Sequence, residues 1–341
     1  MYYTGCDAHS KITQLQHMDE DGALGLSMVV ATTPEGLSDF LARLDAPTEI
    51  TFEASRGYWW LHEFFKSHPK VSKVHVVDPR RSRVLAQELS VLSGYGRAKN
   101  DRIDTEMLAE QTRRGLAPTI QIPTAEQFEL RTLNRHRLII VEQRTSAASR
   151  IHGILSMHGV SISLSELINN SESRNKLYNS LPEYVQFVTN NLIEQIHLFE
   201  GQIQYCENEL EKLLPESHPD INILMTAPGF GPVFSRTVKT EILDIHYFKA
   251  PKYLISYSGL APVDHESAGK KGPISLNRHC NYYLKYAFVG AAHNARTHVR
   301  YRQKYELDVK KHGKIQAKLN LARRLAKTVY WMLIRQQPYK F

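Results

Sequence analysis

Cysteine is scarce in this chain. Three in 341 residues, Cys6, Cys206 and Cys280, lie far apart and form no CxxC pair. That argues against a disulfide framework or a structural zinc site. No apolar run is long enough to cross a bilayer, and the opening MYYTGCDAHSK lacks the pattern of a signal peptide. Together these absences predict a cytoplasmic protein with no membrane partner. Hydrophobic content of 42% and charged content of 23% are ordinary for a globular chain long enough for two or three domains.

Negative charge is scarce in one place. From Arg296 to Phe341 there are thirteen Lys/Arg and only two acids, Glu306 and Asp308. That segment carries a net +11, whereas the preceding residues carry a net −3. A local excess of this size suits a polyanion, nucleic acid being the commonest. Lys310, Lys311 and Lys314 are the cleanest candidates for phosphate contacts, because an apolar stripe at Leu319, Leu321, Leu325, Val329 and Leu333 is expected to pack on the domain. A solvated basic helix face is the alternative.

What is present begins with alternating strand and helix signals. YYTGCDAH (2–9), ITQLQHM (12–18) and GLSMVVATT (25–33) read as an antiparallel meander. A helix follows from the Thr33-Pro34-Glu35 start, then a strand in EITFEAS (49–55), a helix over 57–68 and a strand in KVHVVDP (73–79). RRSRVLAQEL (80–89) starts a basic helix, SGYGRAKN (93–100) reads as flexible, and a further helix runs from Asp101 to about Gly115. This order predicts an α/β domain with a mixed sheet. Residues 124–159 and 182–214 are long helical patterns; Leu192, Ile196, Phe199, Ile203 and Cys206 recur as in a coiled-coil seam, with a polar stretch (165–180) between. Residues 222–242 read as helix, a PGFG turn and helix, which resembles a helix–hairpin–helix; an ordinary tight turn is the alternative. Residues 263–295 begin as a loop rich in Ser, Gly and Lys and end as a helix.

Four carboxylates stand out. Asp7 and Glu53 sit in strand patterns, where a charge is unfavourable unless it is at an edge or binds something. In KNDRIDTEML, Asp101 and Asp104 are three apart and project from one helix face. Asp101 could instead cap the helix, with Asp104 adding favourable charge in the first turn. If the strands of Asp7 and Glu53 are neighbours, all four acids form one patch. Hard divalent cations relieve the repulsion of such a patch.

These residues resemble a known family. Asp7, Glu53 in FEAS, and KNDRIDTEMLA match the DEDD motif of insertion-sequence transposases with a RuvC-like, RNase H-fold domain. APGFGPVFSRTVKTEI, YSGLAP and HESAGKKGPISLNRHCNYYLKYAF look like the family's second block. The chain is identified as a member of the insertion-sequence one-hundred-ten family, related to Piv-type invertases, over residues 2 to 297. HESAGKKG departs from the family's Ser followed directly by Gly, and Cys280 and Asn281 replace small or basic residues.

The resemblance implies a RuvC-like DEDD catalytic domain (1–120), a coiled-coil helical arm (121–218) and a mostly α C-terminal transposase domain (219–341). It implies an RNA-guided DNA recombinase. Asp7, Glu53, Asp101 and Asp104 would hold Mg2+ or Mn2+, and Ser267 would attack a DNA phosphate to form a phosphoserine link. The active site would be composite and assembled in a homo-oligomer, a dimer forming a tetramer. Target and donor DNA would pair with a structured noncoding bridge RNA. Lys270, Lys271 and Arg278 beside Ser267, and Arg80, Arg81 and Arg83 after the fifth strand, are candidate phosphate ligands; His265 and His279 are weaker ones. The protein would associate with the nucleoid when acting.

Two other readings use the same residues. A Holliday-junction resolvase or RNase H-like nuclease would use the four carboxylates with water as nucleophile. A non-catalytic nucleic-acid-binding protein would leave Asp7 and Glu53 without a reason for their positions.

Overall fold

In the computed structural model the described residues are 1–92, 101–263, 266–267, 270–271, 275–276 and 279–340; for 90–92, 263, 266–267, 270–271 and 275–276 the description is of the backbone alone. The chain divides into two compact units, Met1–Ile122 and Pro123–Phe341.

The first unit opens with β1 (Tyr2–Ala8), β2 (Ile12–Met18) and β3 (Leu24–Ala31). Then come α1 (Pro34–Ala42), β4 (Thr48–Glu53), α2 (Tyr58–Ser67), β5 (Val71–Val77), α3 (Pro79–Leu92) and α4 (Asp101–Arg113). The sheet order is β3-β2-β1-β4-β5; β1, β4 and β5 pair parallel, and β2 runs antiparallel to both of its neighbours, β1 and β3. The mixed sheet read from the sequence is thus present, and the strands carrying Asp7 and Glu53 are neighbours. Thr33 caps α1 by accepting the Gly36 N–H, as its Thr-Pro-Glu start predicts. Residues 93–100, read as flexible, lie outside the described residues.

Alternation sorts the two faces of the sheet. Cys6, Ile50, Phe52 and Val76 point into a core completed by Leu37, Phe40, Leu41, Leu61 and Phe65 of α1 and α2. The opposite face is covered by α4. There Gly5 leaves room for the Thr105 backbone, and the hydroxyls of Thr51 and Thr112 meet. Ser82 of α3 and Gln111 of α4 exchange two hydrogen bonds of 3.1 Å, which ties α3 to α4.

The second unit starts with α5 (Ala125–Met157), opened by a capping box between Thr124 and Gln127. After α6 (Leu164–Asn169) and α7 (Ser171–Tyr178), α8 (Glu183–Leu213) packs along α5. Leu192, Ile196 and Cys206 are buried, and Arg137–Glu207 and Arg144–Glu200 pair across the two helices. The polar stretch 165–180 is therefore two short helices. Leu167 and Tyr178 bury themselves against Ile151, Leu155 and Val185, closing the end of the helical pair.

Beyond it lie α9 (Pro219–Met225), α10 (Pro232–Ile242), α11 (Pro251–Tyr257), α12 (Tyr282–Ala295) and α13 (Val299–Arg335). In the PGFG turn Gly229 has φ +86°, and a β-carbon there would lie 2.1 Å from the Ala291 carbonyl oxygen. That glycine permits close packing on α12. Between α11 and α12 the chain pairs β6 (Pro262–Val263) with β9 (Ser275–Leu276) and β7 (Glu266–Ser267) with β8 (Lys270–Lys271). The expected loop thus contains two short antiparallel pairs.

α13 is not one straight rod. Gly313 is non-helical, at φ +80° and ψ 165°. Arg324 donates to Asp308 at 2.8 Å, although sixteen residues of straight helix would separate their backbones by roughly 24 Å. Tyr301 packs with Leu321, Leu325 and Val329 in the same core. The segment therefore reverses at Gly313 as a helical hairpin. The apolar stripe packs inward as expected: Leu321, Leu325, Val329 and Leu333 are buried.

Candidate cation-binding site

The ladder between β1 and β4 ends with Cys6 beside Phe52, which puts Asp7 and Glu53 next along two adjacent parallel strands. Cys6 and Phe52 point into the core, so Asp7 and Glu53 project from the face that α4 covers. The carboxyl ends of parallel strands are a common place for ligands.

α4 runs back along this face. Gly5 lies against Thr105 and Ala109, and Thr51 meets Thr112. One turn before Thr105, Asp101 therefore comes down beside Asp7. His9 links the two: its Nε2 is 3.3 Å from Asp7 Oδ2 and 3.8 Å from Asp101 Oδ2. One ligand atom each from Asp7, His9 and Asp101 lies within 4.8 Å of the others.

Glu53 is half-buried, and its carboxyl is pushed above the ordinary glutamate value. Burial is the main cause; the charges of Asp7, Asp104 and Asp78 add to it, and the Arg83 guanidinium opposes it. Glu53 thus feels both Asp7 and Asp104, so the four acids picked from the sequence share one electrostatic neighbourhood. Asp7, His9 and Asp101 form a group that could hold a hard divalent cation, and Glu53 and Asp104 are not part of that close group.

Two members were not picked out from the sequence. Asp78 follows β5 and accepts the backbone N–H groups of Arg80 and Arg81, each at 3.0 Å, as the cap of α3. In the sequence Asp78 stands only as the end of the KVHVVDP strand pattern, beside Pro79, with nothing to mark its effect on Glu53. His9 stands two residues after Asp7, the strand period, and that spacing was the available signal. Arg80, Arg81 and Arg83 are exposed on the first turns of α3.

In the second unit, Ser267 is in register with Lys270, and Glu266 with Lys271. The side chains of Ser267, Lys270 and Lys271 are outside the description, and Arg278 and His265 lie outside the described residues. His279 is exposed. Nearby, Asn281 caps α12 by accepting the Leu284 N–H, and its Nδ2 donates to Glu241 Oε2 at 2.7 Å. Glu241 is fully buried and also accepts two bonds of 2.7 Å from Arg135. Arg131 stands 3.7 Å away and donates to the carbonyls of Thr240 and Glu241. This network ties α5, α10 and the start of α12 together. Lys310, Lys311 and Lys314 are exposed at the turn of the α13 hairpin.

The fold and the acidic group define a class: a mixed-sheet α/β unit with a site suited to a divalent cation, joined in sequence to a helical unit with a basic hairpin. Residues 4–159 match the family model DEDD_Tnp_IS110, described as transposase, and residues 221–306 match the model described as Transposase IS116/IS110/IS902 family. The transposase for insertion sequence element IS1111A of Coxiella burnetii is 25% identical over 71% of this chain and 68% of its own length. The putative transposase y4rJ of Sinorhizobium fredii is 27% identical over 66% of this chain and 61% of its own length. The transposase for IS1328 of Yersinia enterocolitica is 24% identical over 57% of this chain and 58% of its own length. The chain belongs to the IS110 family of transposases, enzymes that cut and join DNA. Among the described residues no helix is long and apolar enough to cross a membrane.

Proposed function

We propose that this chain is an RNA-guided DNA transposase that joins strands through Ser267. The observation that carries this reading is the neighbourhood of Asp7, Glu53, Asp101 and Asp104 at the strand ends of a sheet ordered β3-β2-β1-β4-β5. That order, with its three parallel strands, supports a RuvC-like domain over residues 1–120. Residues 121–218 form the coiled-coil arm and 219–341 the C-terminal transposase domain.

The four carboxylates would hold Mg2+ or Mn2+, which when bound neutralises charge on a phosphoryl group in the transition state. Ser267 Oγ attacks the DNA phosphorus. An Oγ–P bond forms, a P–O bond to a deoxyribose breaks, the hydroxyl proton is lost and the departing sugar oxygen takes one up. Attack by the freed sugar hydroxyl of another strand reverses the step and joins DNA. Lys270, Lys271 and Arg278 would hold the phosphate backbone at the serine. Arg80, Arg81 and Arg83 would hold the backbone at the carboxylates, and Lys310, Lys311 and Lys314 at the α13 turn. Sequence is read by pairing of target and donor DNA with a structured bridge RNA.

A homo-oligomer, dimer to tetramer, fits one surface feature. Tyr184, Leu198 and Tyr205 fall at heptad positions on α8, with Phe187 beside them, and all are more than half exposed. The place of action is the cytoplasm, at the nucleoid.

The test is Ser267→Ala in a strand-joining reaction with the element's DNA and RNA. Joining and the covalent protein–DNA adduct should both vanish, while RNA and DNA binding persist. A variant that still cuts without an adduct would make water the nucleophile and the protein a resolvase-like nuclease.

A further inference from the structure

We propose that His9 is a ligand of the cation held by Asp7 and Asp101, and that its nitrogen makes the site prefer Mn2+ to Mg2+. This rests on the reading that the carboxylates bind a divalent cation. Two ligand atoms about 2.1 Å from one ion lie roughly 3 Å apart at right angles and about 4.2 Å apart when opposite. The His9 Nε2 distances, 3.3 Å to Asp7 and 3.8 Å to Asp101, both fall inside that span. All three ligand atoms can therefore face one ion with little rearrangement.

The backbone fixes where His9 stands. Its N–H donates to the Ile12 carbonyl at 3.0 Å, closing the turn between β1 and β2. Its carbonyl accepts the Thr32 hydroxyl at 2.9 Å, which ties it to the end of β3. The imidazole remains exposed, so a hydrated ion reaches it directly. Period-two alternation brings residues 7 and 9 to the same side of the strand line, so the ring follows Asp7 onto the α4 face.

Four carboxylates alone would treat Mg2+ and Mn2+ similarly, since both accept hard oxygen ligands. Imidazole suits transition metals, whereas Mg2+ keeps oxygen and water. A nitrogen in this set thus adds affinity for Mn2+ and little for Mg2+. His9 is the residue that would set the discrimination.

The experiment is calorimetric titration of the full chain with Mn2+ and with Mg2+, without nucleic acid, on wild type, His9→Ala and Asp7→Asn. Pulsed electron paramagnetic resonance of bound Mn2+ provides a direct readout of coordinated nitrogen. His9→Ala should weaken Mn2+ by roughly tenfold or more, leave Mg2+ within about twofold, and remove the nitrogen coupling. Equal losses for both ions, no loss for either, or a wild-type spectrum without nitrogen coupling would overturn the proposal. Tighter binding of both ions would also overturn it, by making His9 a competing counter-charge. Asp7→Asn separates the two levels. If it leaves both affinities unchanged, the carboxylate site itself is wrong; if it abolishes them while His9→Ala changes nothing, only the role of His9 fails.

Discussion

Gly5 and Thr105 meet backbone to backbone: a β-carbon at Gly5 would lie 1.8 Å from the Thr105 carbonyl oxygen and 3.0 Å from the Ala109 nitrogen. This contact seats α4 on β1, and through α4 it brings Asp101 and Asp104 to the strand ends. Gly5→Ala should therefore push the helix away. Overpacking of this kind costs about 1–3 kcal/mol. Thermal unfolding should show that loss together with weaker Mn2+ binding, although no carboxylate has been changed. Asp101→Asn should separate the effects, losing affinity while its melting temperature holds or rises. A Gly5→Ala protein with wild-type stability and cation affinity would refute the seating role.

Glu53 gives the metal-free protein a pH dependence with a defined sign. Its folded-state carboxyl lies above the ordinary value, chiefly through burial and then through Asp7. Between those values the folded chain holds a proton that the unfolded chain has released. Stability should therefore fall as pH rises through that window and recover as pH is lowered toward the ordinary glutamate value. Denaturant unfolding in chelator at several pH values measures it. Glu53→Gln should flatten this contribution and stabilise the metal-free protein at neutral pH, whereas an unchanged pH profile would mean that Glu53 is not under the strain described.

The buried carboxylate of Glu241 holds Arg135 and Asn281, with Arg131 3.7 Å away. Replacing it with Ala leaves the half-buried Arg135 and the buried Arg131 without their carboxylate. Loss of one member of a buried pair costs about 3–5 kcal/mol. Denaturant titration should register that loss. Asn281→Ala should cost less, because it removes one neutral cap and leaves the ion pair intact.

Lys310, Lys311 and Lys314 flank the chain reversal at Gly313 and are solvent-exposed. Replacing all three with Gln should weaken nucleic-acid binding regardless of sequence and flatten its salt dependence, because fewer counterions are released. Melting should stay unchanged, since the apolar stripe that packs the hairpin is untouched. Unchanged affinity and salt slope would make the turn a solvated surface.

Much of the first unit was legible because its signals are local. The ITQLQHM run reads as a short β-rich segment and becomes β2 at the same bounds, and the Thr33 start becomes a capped helix. The acids were legible as oddities, since a carboxylate in a strand has to face something other than the core. The stretch 165–180 read only as polar, and its two short helices were not legible because average polarity conceals a few apolar residues. Leu167 and Tyr178 needed the facing helices α5 and α8 to become core.

The sequence by itself determined which residues alternate, which repeat at helical spacing and where charge accumulates, because each depends on neighbours along the chain. Tertiary structure alone decided that β1 and β4 are adjacent, that α4 lies antiparallel on them, that His9 stands between Asp7 and Asp101, and that α13 doubles back at Gly313. Those outcomes depend on which surfaces fit. A missing side chain at Gly5 or a positive φ at Gly313 is only a letter until another part of the chain packs against it.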